Sequence, residues 1–254
     1  MENLVGLGVL FFAAMIAGAI NSVAGGGSLI SFPALVAFGI PSVPANATNT
    51  AALWPGTLSS ALAYSKDTKL YRDLVVPLII PSALGGLLGA FVLVITPPEL
   101  FDLIVPFLVL FATLLFAFRD QFNRLFKLGG SEESVSALGR VWGFLFQLFV
   151  ATYGGYFGAG IGILMLGSLS VMGLRDIHRM NGLKTILGTM INVIAFLFFA
   201  LKGLVVWHLA IWMTIGAIIG GYAGARTAKR VDQKYIRAFV IIVGLCVSVW
   251  LFVK

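Results

Sequence analysis

Long apolar runs separated by short polar breaks dominate this chain. The runs lie at about 4–22, 47–65, 73–95, 100–118, 139–156, 180–201, 206–226 and 233–253. A helix rises 1.5 Å per residue, so roughly 20 apolar residues cross a hydrocarbon layer of about 30 Å. Each run therefore predicts a membrane-spanning helix. Two further apolar pieces, about 27–39 and 160–173, are too short for that. Each follows a glycine cluster, where a continuous helix is costly: glycine is worse than alanine by about 1 kcal/mol per site.

The pattern occurs twice. Ala24-Gly25-Gly26-Gly27-Ser28 is matched 134 residues later by Gly158-Ala159-Gly160-Ile161-Gly162. Near the end of each half the offset is 135, with Gly85-Gly86-Leu87-Leu88-Gly89-Ala90 against Gly220-Gly221-Tyr222-Ala223-Gly224-Ala225. Duplicated apolar halves, each with a glycine-broken segment, are the pattern of secondary transporters, which bind substrate where the halves meet. The predicted organisation is a first transmembrane repeat at 1–118, a polar cytoplasmic linker at 119–138 and a second repeat at 139–254.

Charge orders the crossings. If the short pieces merely finish the preceding helices, there are eight spans and the basic loops scatter over both sides. If the chain turns back at each glycine cluster, each half has five elements and the repeats are inverted. The inside loops are then 66–73, 119–140, 174–184 and 226–237, and they hold 15 of the 17 Lys and Arg residues, all but Lys202 and Lys254. Retention of Lys and Arg in the cytoplasm favours this all-α, five-plus-five arrangement with both termini outside. The reversing pairs either cross fully or form re-entrant hairpins; the short second arms favour partial depth.

Composition agrees. The chain is 59% hydrophobic and 11% charged, with mean hydropathy +1.02, against roughly 25% charged residues in soluble domains. This predicts a multi-pass protein of the cell membrane, with the bilayer as its main partner. Topology accounts for the net charge of +7 better than nucleic acid does. Residues 4–20 read as a retained segment rather than a cleaved leader, because no basic stretch precedes them. Cys246 excludes an internal disulfide and reads as a small buried hydrophobe.

Candidate chemistry gathers at the breaks. A glycine-opened segment frees backbone N–H groups at depth, and these must be buried in protein or line a polar cavity. A helix starting at Ser28 would aim its amides and positive dipole end into that cavity, a site for anions. The predicted substrate-binding residues are therefore Gly25, Gly26, Gly27 and Ser28, with Gly158, Gly160 and Gly162 from the second copy. The competing role for such glycines is close helix packing. Asn46, Thr48 and Asn49, and their counterparts Asn181 and Lys184, join the candidate set. They open the helices after the short arms, where capping is the alternative role. Asn181 and Lys184 are three apart and share a helix face. Lys184 is either a cation for an anionic substrate or a cytoplasmic anchor.

Other residues take plainer roles. His178 and His208 fall on opposite sides, so no metal site is predicted. Asp102 reads as a cap or interfacial acid, and a proton-coupling acid only if buried. Pro55 in Trp54-Pro55-Gly56 should kink its helix. Trp207 and Trp212 read as interface anchors. Neither glycine cluster has a nucleotide-binding context. No Ser/His/Asp grouping or intramembrane carboxylate pair supports an enzyme, and no cofactor is predicted.

These motifs resemble a known family. Asn21 through Thr50, with Ala24-Gly25-Gly26-Gly27, Pro33, Gly39-Ile40-Pro41 and Ala45-Asn46-Ala47-Thr48-Asn49, is similar to the sulfite exporter TauE/SafE family. The second half agrees through Gly154-Gly155-Tyr156-Phe157-Gly158-Ala159-Gly160 and Gly173-Leu174. The resemblance implies transport of a small sulfur-containing anion, such as sulfite, thiosulfate or an organosulfonate. Alternating access of two inverted repeats is the expected mechanism; an anion channel with a glycine-lined pore is the alternative. Protons are one candidate coupling ion. The second copy has Gly182-Leu183-Lys184 where the first has Thr48-Asn49-Thr50, which implies an asymmetric site.

Overall fold

The computed structural model describes residues 4–23, 25–63, 72–125, 137–174, 177–227 and 233–253. The described residues form helices and no strand. The first half contains α1 (Leu4–Val23), α2 (Ser28–Ala37), α3 (Ser42–Ala63), α4 (Arg72–Ile95) and α5 (Pro98–Ala117). A short helix, α6 (Arg119–Leu125), opens the predicted linker; residues 126–136 lie outside the described residues. The second half contains α7 (Ala137–Tyr156), α8 (Ile161–Val171), α9 (Ile177–Leu201), α10 (Trp207–Thr227) and α11 (Gln233–Val253). Six of these helices, α1, α4, α5, α9, α10 and α11, are long and apolar enough to cross a membrane. Of the basic loop residues, Lys66, Lys69, Lys127, Arg175, Lys229 and Arg230 lie outside the described residues.

The chain turns back at each glycine cluster. α2 packs against α1, and α8 against α7. Phe38, just past α2, lies over Gly6, and Met172, just past α8, lies over Gly143. A continuous helix would hold such residues tens of ångströms apart. The short arms therefore do not extend the helices before them. At 10 and 11 residues, α2 and α8 are about 15 Å long, half the thickness of a hydrocarbon core. Both end in the same way. The Gly39 and Gly173 amides donate to Val36 and Ser170, and the next amides, Ile40 and Leu174, donate to Leu35 and Leu169. Both glycines have positive φ, 91° and 84°, which a side chain would strain.

The halves are interlocked. α1 packs most heavily on α10 of the other half, and α7 on α4. Other pairs also come in mates: α3 with α10 and α9 with α4, α1 with α3 and α7 with α9, α2 with α11 and α8 with α5. α3 meets its own counterpart α9, and α5 meets α11. Between helices in lipid, apolar burial gives no net drive, so close backbone approach must supply the attraction. The second repeated glycine motif does this. Gly216, Gly220 and Gly224 of α10 lie on the backbone of α1 at Phe11, Met15 and Ala19. Gly85 and Gly89 of α4 lie on α7 at Leu148 and Thr152.

Polarity runs inside out relative to a water-soluble protein. Large apolar side chains such as Leu103, Phe107, Phe149, Ile211 and Ile242 are exposed, as a lipid-facing surface requires. Cys246 is also exposed, correcting the expectation of a buried residue: it sits on the outer face of α11. Buried polar side chains are paired, with Asn46 Oδ1 the exception among the described residues. Gln147 Nε2 donates to Ser82 Oγ (2.9 Å), and Ser168 Oγ donates to Gln147 Oε1 (2.5 Å). Asp102 is exposed in the second turn of α5, which fits an interfacial acid. Trp207 is half exposed, and Trp212 Nε1 donates to the Leu7 carbonyl at 2.9 Å.

Candidate functional site

A cavity of about 50 Å³ lies between the two broken segments and the facing helices α3 and α9. At roughly 10–15 Å³ per water-sized centre, it holds about four waters or one small oxyanion. Gly25, Ser28, Gly158, Gly162 and Lys184 line it. Its walls come in mates. Thr50, Leu53 and Thr57 on α3 face Thr185, Gly188 and Asn192 on α9, each pair 135 residues apart. The cavity therefore straddles the junction of the two halves.

The broken segments meet there. The Gly25 backbone abuts Gly162, so closely that a Cβ on Gly25 would lie 3.0 Å from Gly162 Cα. Gly25 also has φ of 82°, so any side chain there is both strained and crowded. Among the described residues, the amides of Ser28 and Gly162 have no hydrogen-bond acceptor. These two residues are mates at offset 134, one at the N-terminus of α2 and the other at that of α8. Other groups freed by the breaks are taken up locally. The Gly27 amide donates to Asn21 Oδ1 (2.7 Å), and Tyr153 Oη donates to the Ala159 carbonyl (2.7 Å). Gly26 packs on the Phe116 ring, and Gly160 on Ala112. Gly26, Gly27 and Gly160 thus serve the walls rather than the lining.

Lys184 is the charged member. It lies in the second turn of α9 with 5% of its surface exposed. Its ammonium donates to Asn181 Oδ1 at 3.0 Å, the expected i, i+3 pairing. Among the described residues, no carboxylate lines the cavity. An ammonium buried without a counter-charge costs several kcal/mol. An anion about 4 Å away would recover about 4 kcal/mol at an effective dielectric of 20.

Asn46, Thr48 and Asn49 lie outside the cavity lining. α3 starts at Ser42 and α9 at Ile177, earlier than the apolar runs indicated, so these residues and Asn181 are inside helices and do not cap them. Their side chains reach other elements. Asn46 Nδ2 donates to the Tyr156 carbonyl (2.9 Å), at the end of α7. Thr48 Oγ1 accepts the Val206 amide (3.0 Å), at the start of α10. Asn49 Oδ1 accepts from Ser31 Oγ (2.5 Å) on α2. Asn46 Oδ1 is buried without a hydrogen-bond partner.

Several lining residues escaped the sequence reading: Asn21, Thr50, Thr57, Ser60, Thr185 and Asn192. The signal was present. Thr50, Leu53, Thr57 and Ser60 are spaced 3, 4 and 3 apart, and Lys184, Gly188 and Asn192 are spaced 4 and 4. These are helical stripes, polar or small apart from Leu53, in otherwise apolar helices. The side chain of His178 lies outside the described residues. Among the described residues, no group of three or more His, Cys, Asp or Glu could hold a metal.

Comparison with known proteins places the chain. The Sulfite exporter TauE/SafE family matches residues 10–251. A protein of Sinorhizobium sp named probable membrane transporter protein ORF9 is 31% identical over 248 residues, covering 96% of this chain and 91% of that protein. A probable membrane transporter protein of Haemophilus influenzae is 28% identical over 95% of this chain and 92% of its own length. The probable membrane transporter protein YfcA of Escherichia coli K12 is 29% identical over 95% and 88%. No solved structure matches. A family match over nearly the whole length, on a frame of apolar helices broken twice at glycine, makes this chain a multi-pass membrane protein of the sulfite exporter TauE/SafE family.

Proposed function

We propose that this protein is a secondary transporter that moves a small sulfur-containing oxyanion across the cell membrane by alternating access. The observation that carries the anion reading is Lys184: a buried ammonium in a cavity whose described lining holds no carboxylate, beside two helix amides that have no acceptor among the described residues. The anion would sit between Lys184 and the amides of Ser28 and Gly162. The hydroxyls of Thr50, Thr57, Ser60 and Thr185 line the same cavity, and each donates its proton to a backbone carbonyl of its own helix. Membership of the family supports sulfur as the central atom, with sulfite, thiosulfate and organosulfonates as the substrates to try. We read the α1–α2 and α7–α8 pairs as re-entrant hairpins, which makes the two halves inverted repeats.

The interlock refines the motion. The repeats themselves do not separate cleanly, because α1 holds α10 and α7 holds α4. The bodies that would rock are mixed bundles, one of α1, α2, α3 and α10, the other of α7, α8, α9 and α4. They touch along α3 and α9, where the cavity lies. Access from alternate sides then needs only a change in the α3–α9 crossing.

The test is uptake and counterflow of labelled sulfite, thiosulfate and a sulfonate in proteoliposomes, with and without a pH gradient. Saturable flux with mutual competition and counterflow is expected. Flux that rises linearly with concentration, without counterflow, would replace the carrier by an anion channel. Absence of flux for every sulfur anion, from protein shown to be folded, would remove the substrate class.

A further inference from the structure

The α9 wall of the cavity has a gap in its middle. Gly188 lies one turn after Lys184 and one turn before Asn192, and all three line the cavity. Gly85, Gly89, Gly216 and Gly220 are held against neighbouring helices, where a Cβ would strike backbone atoms. A Cβ on Gly188 would meet no heavy atom within 4 Å among the described residues. Close packing therefore does not account for this glycine. Backbone freedom does not either, because its φ is outside the left-handed region. Glycine weakens a helix relative to alanine, so the open space itself is the feature to explain. The equivalent position on α3 is Leu53, also in the lining. The gap thus belongs to one repeat, the one that carries Lys184.

Asn192 stands at the far edge of the gap. A helical side chain leans over the turn before its own Cα, and for Asn192 that turn holds Gly188. The other lining side chains that were paired above have spent hydrogen-bonding groups. Thr57, the mate of Asn192, donates to the Trp54 carbonyl at 2.7 Å, and Asn21 Oδ1 accepts the Gly27 amide. The side-chain amide of Asn192 has no partner among the described residues. It is not among the fully enclosed unpaired atoms, of which Asn46 Oδ1 is the described example, so it opens on the cavity that the residue lines. Asn192 lies near the middle of the apolar span Met180–Leu201. A free amide at that depth is costly unless the cavity supplies a partner.

We propose that the substrate anion lies over Gly188, in the space a side chain would fill, and that the Asn192 amide is its specificity-determining contact. This rests on the anion-transport reading above and adds where along α9 the anion sits. The Nδ2 protons of Asn192 are available to an acceptor at the end of the anion away from Lys184, and a methyl group there gives them nothing to bond. The site then favours sulfur anions with acceptors on every side over sulfonates with an apolar end.

The experiment is uptake of labelled thiosulfate, and its inhibition by methanesulfonate, in proteoliposomes of wild-type, Gly188→Ala and Asn192→Leu protein. The two anions share an SO3 head and differ in the fourth group on sulfur, a charged sulfur against a methyl. Gly188→Ala adds a methyl where the fold has room and improves helix propensity. Its melting temperature should hold or rise, while KM for thiosulfate rises about tenfold or more. Asn192→Leu should raise KM for thiosulfate about tenfold, the effect of one lost hydrogen bond to a charged group, and leave inhibition by methanesulfonate as strong as in wild type or stronger. A merely structural role of Asn192 would weaken both anions alike. Should Asn192→Leu fail to fold, Asn192→Ala supplies the same comparison. Wild-type KM in Gly188→Ala, or equal shifts for the two anions in the Asn192 variants, overturns the proposal. If wild-type protein moves none of the sulfur anions, the functional reading falls and this inference with it. If wild-type flux is saturable and the variants match it, only the inference falls.

Discussion

The second turns of α3 and α9 occupy equivalent places and do opposite work. Asn46 and Asn49 on α3 correspond to Asn181 and Lys184 on α9 at offset 135. In both turns a threonine one residue on, Thr50 or Thr185, bonds back to the asparagine carbonyl. On α3 the asparagines tie helices together, through Tyr156 and Ser31. On α9 the asparagine orients a buried cation that faces the cavity. On the proposed reading, lysine at the place of Asn49 makes the α9 turn a binding turn where the α3 turn is structural, and the site is not symmetric.

The comparison breaks most visibly at the charge. Lys184→Met keeps the volume and removes the ammonium. Losing a buried partner of an anion costs about 2–5 kcal/mol, or between roughly 30-fold and several thousandfold in kcat/KM. The melting temperature should hold or rise, because an unpaired buried charge is gone. Transport assays beside thermal unfolding in detergent check both halves of this statement; normal transport would leave Lys184 as an anchor. Asn181→Ala sharpens the same point with a smaller effect. It removes the acceptor that holds Lys184 in place among the described residues, and KM should rise about tenfold or more, in line with a hydrogen bond to a charged group worth about 1.5–3 kcal/mol.

The mirror-image change on α3 should move a different quantity. Asn46→Leu removes the bond to the Tyr156 carbonyl and the partnerless Oδ1 together. The first loss destabilises by about 1–3 kcal/mol and the second offsets part of it. A modest drop in melting temperature with unchanged KM is expected. A KM shift as large as that of Asn181→Ala would show that the α3 turn also reads the substrate.

Much of the frame was legible because lipid imposes hard rules on a chain. Apolar length marked the long helices, and the repeat offset marked which glycines are partners. Gly39 and Gly173, one turn signal each, closed the short arms where the runs ended. Helix starts were less legible. The runs suggested 47 and 180, but Pro44 is tolerated in a first turn, where its missing N–H has no partner to lose, so α3 extends back to Ser42. The site divided along the same line. Lys184 was visible as a charge in an apolar run, whereas Thr57, Ser60 and Asn192 are single polar residues that matter only once two helices face each other. Asn46, Thr48 and Asn49 looked like a polar cluster aimed at a ligand; Asn46 and Thr48 instead meet backbone groups more than 100 residues away in sequence, beyond the reach of local pattern, and Asn49 meets the Ser31 hydroxyl.

The crossed pairing of α1 with α10 also sets the order in which this protein can be made. α1 leaves the ribosome well before α10, yet the surface that its small residues Gly18 and Ala19 are shaped to meet begins at Trp207. For most of synthesis the first helix must reside in lipid without its partner. Its sequence allows this, since α1 carries no charged residue over Leu4–Val23 and is stable as a lone insertion before any packing. Assembly is therefore late and concerted. Until α10 is inserted, the α1 face at Phe11, Met15 and Ala19 stays uncovered, and a chain cut short before α10 would present that face to the membrane's quality control.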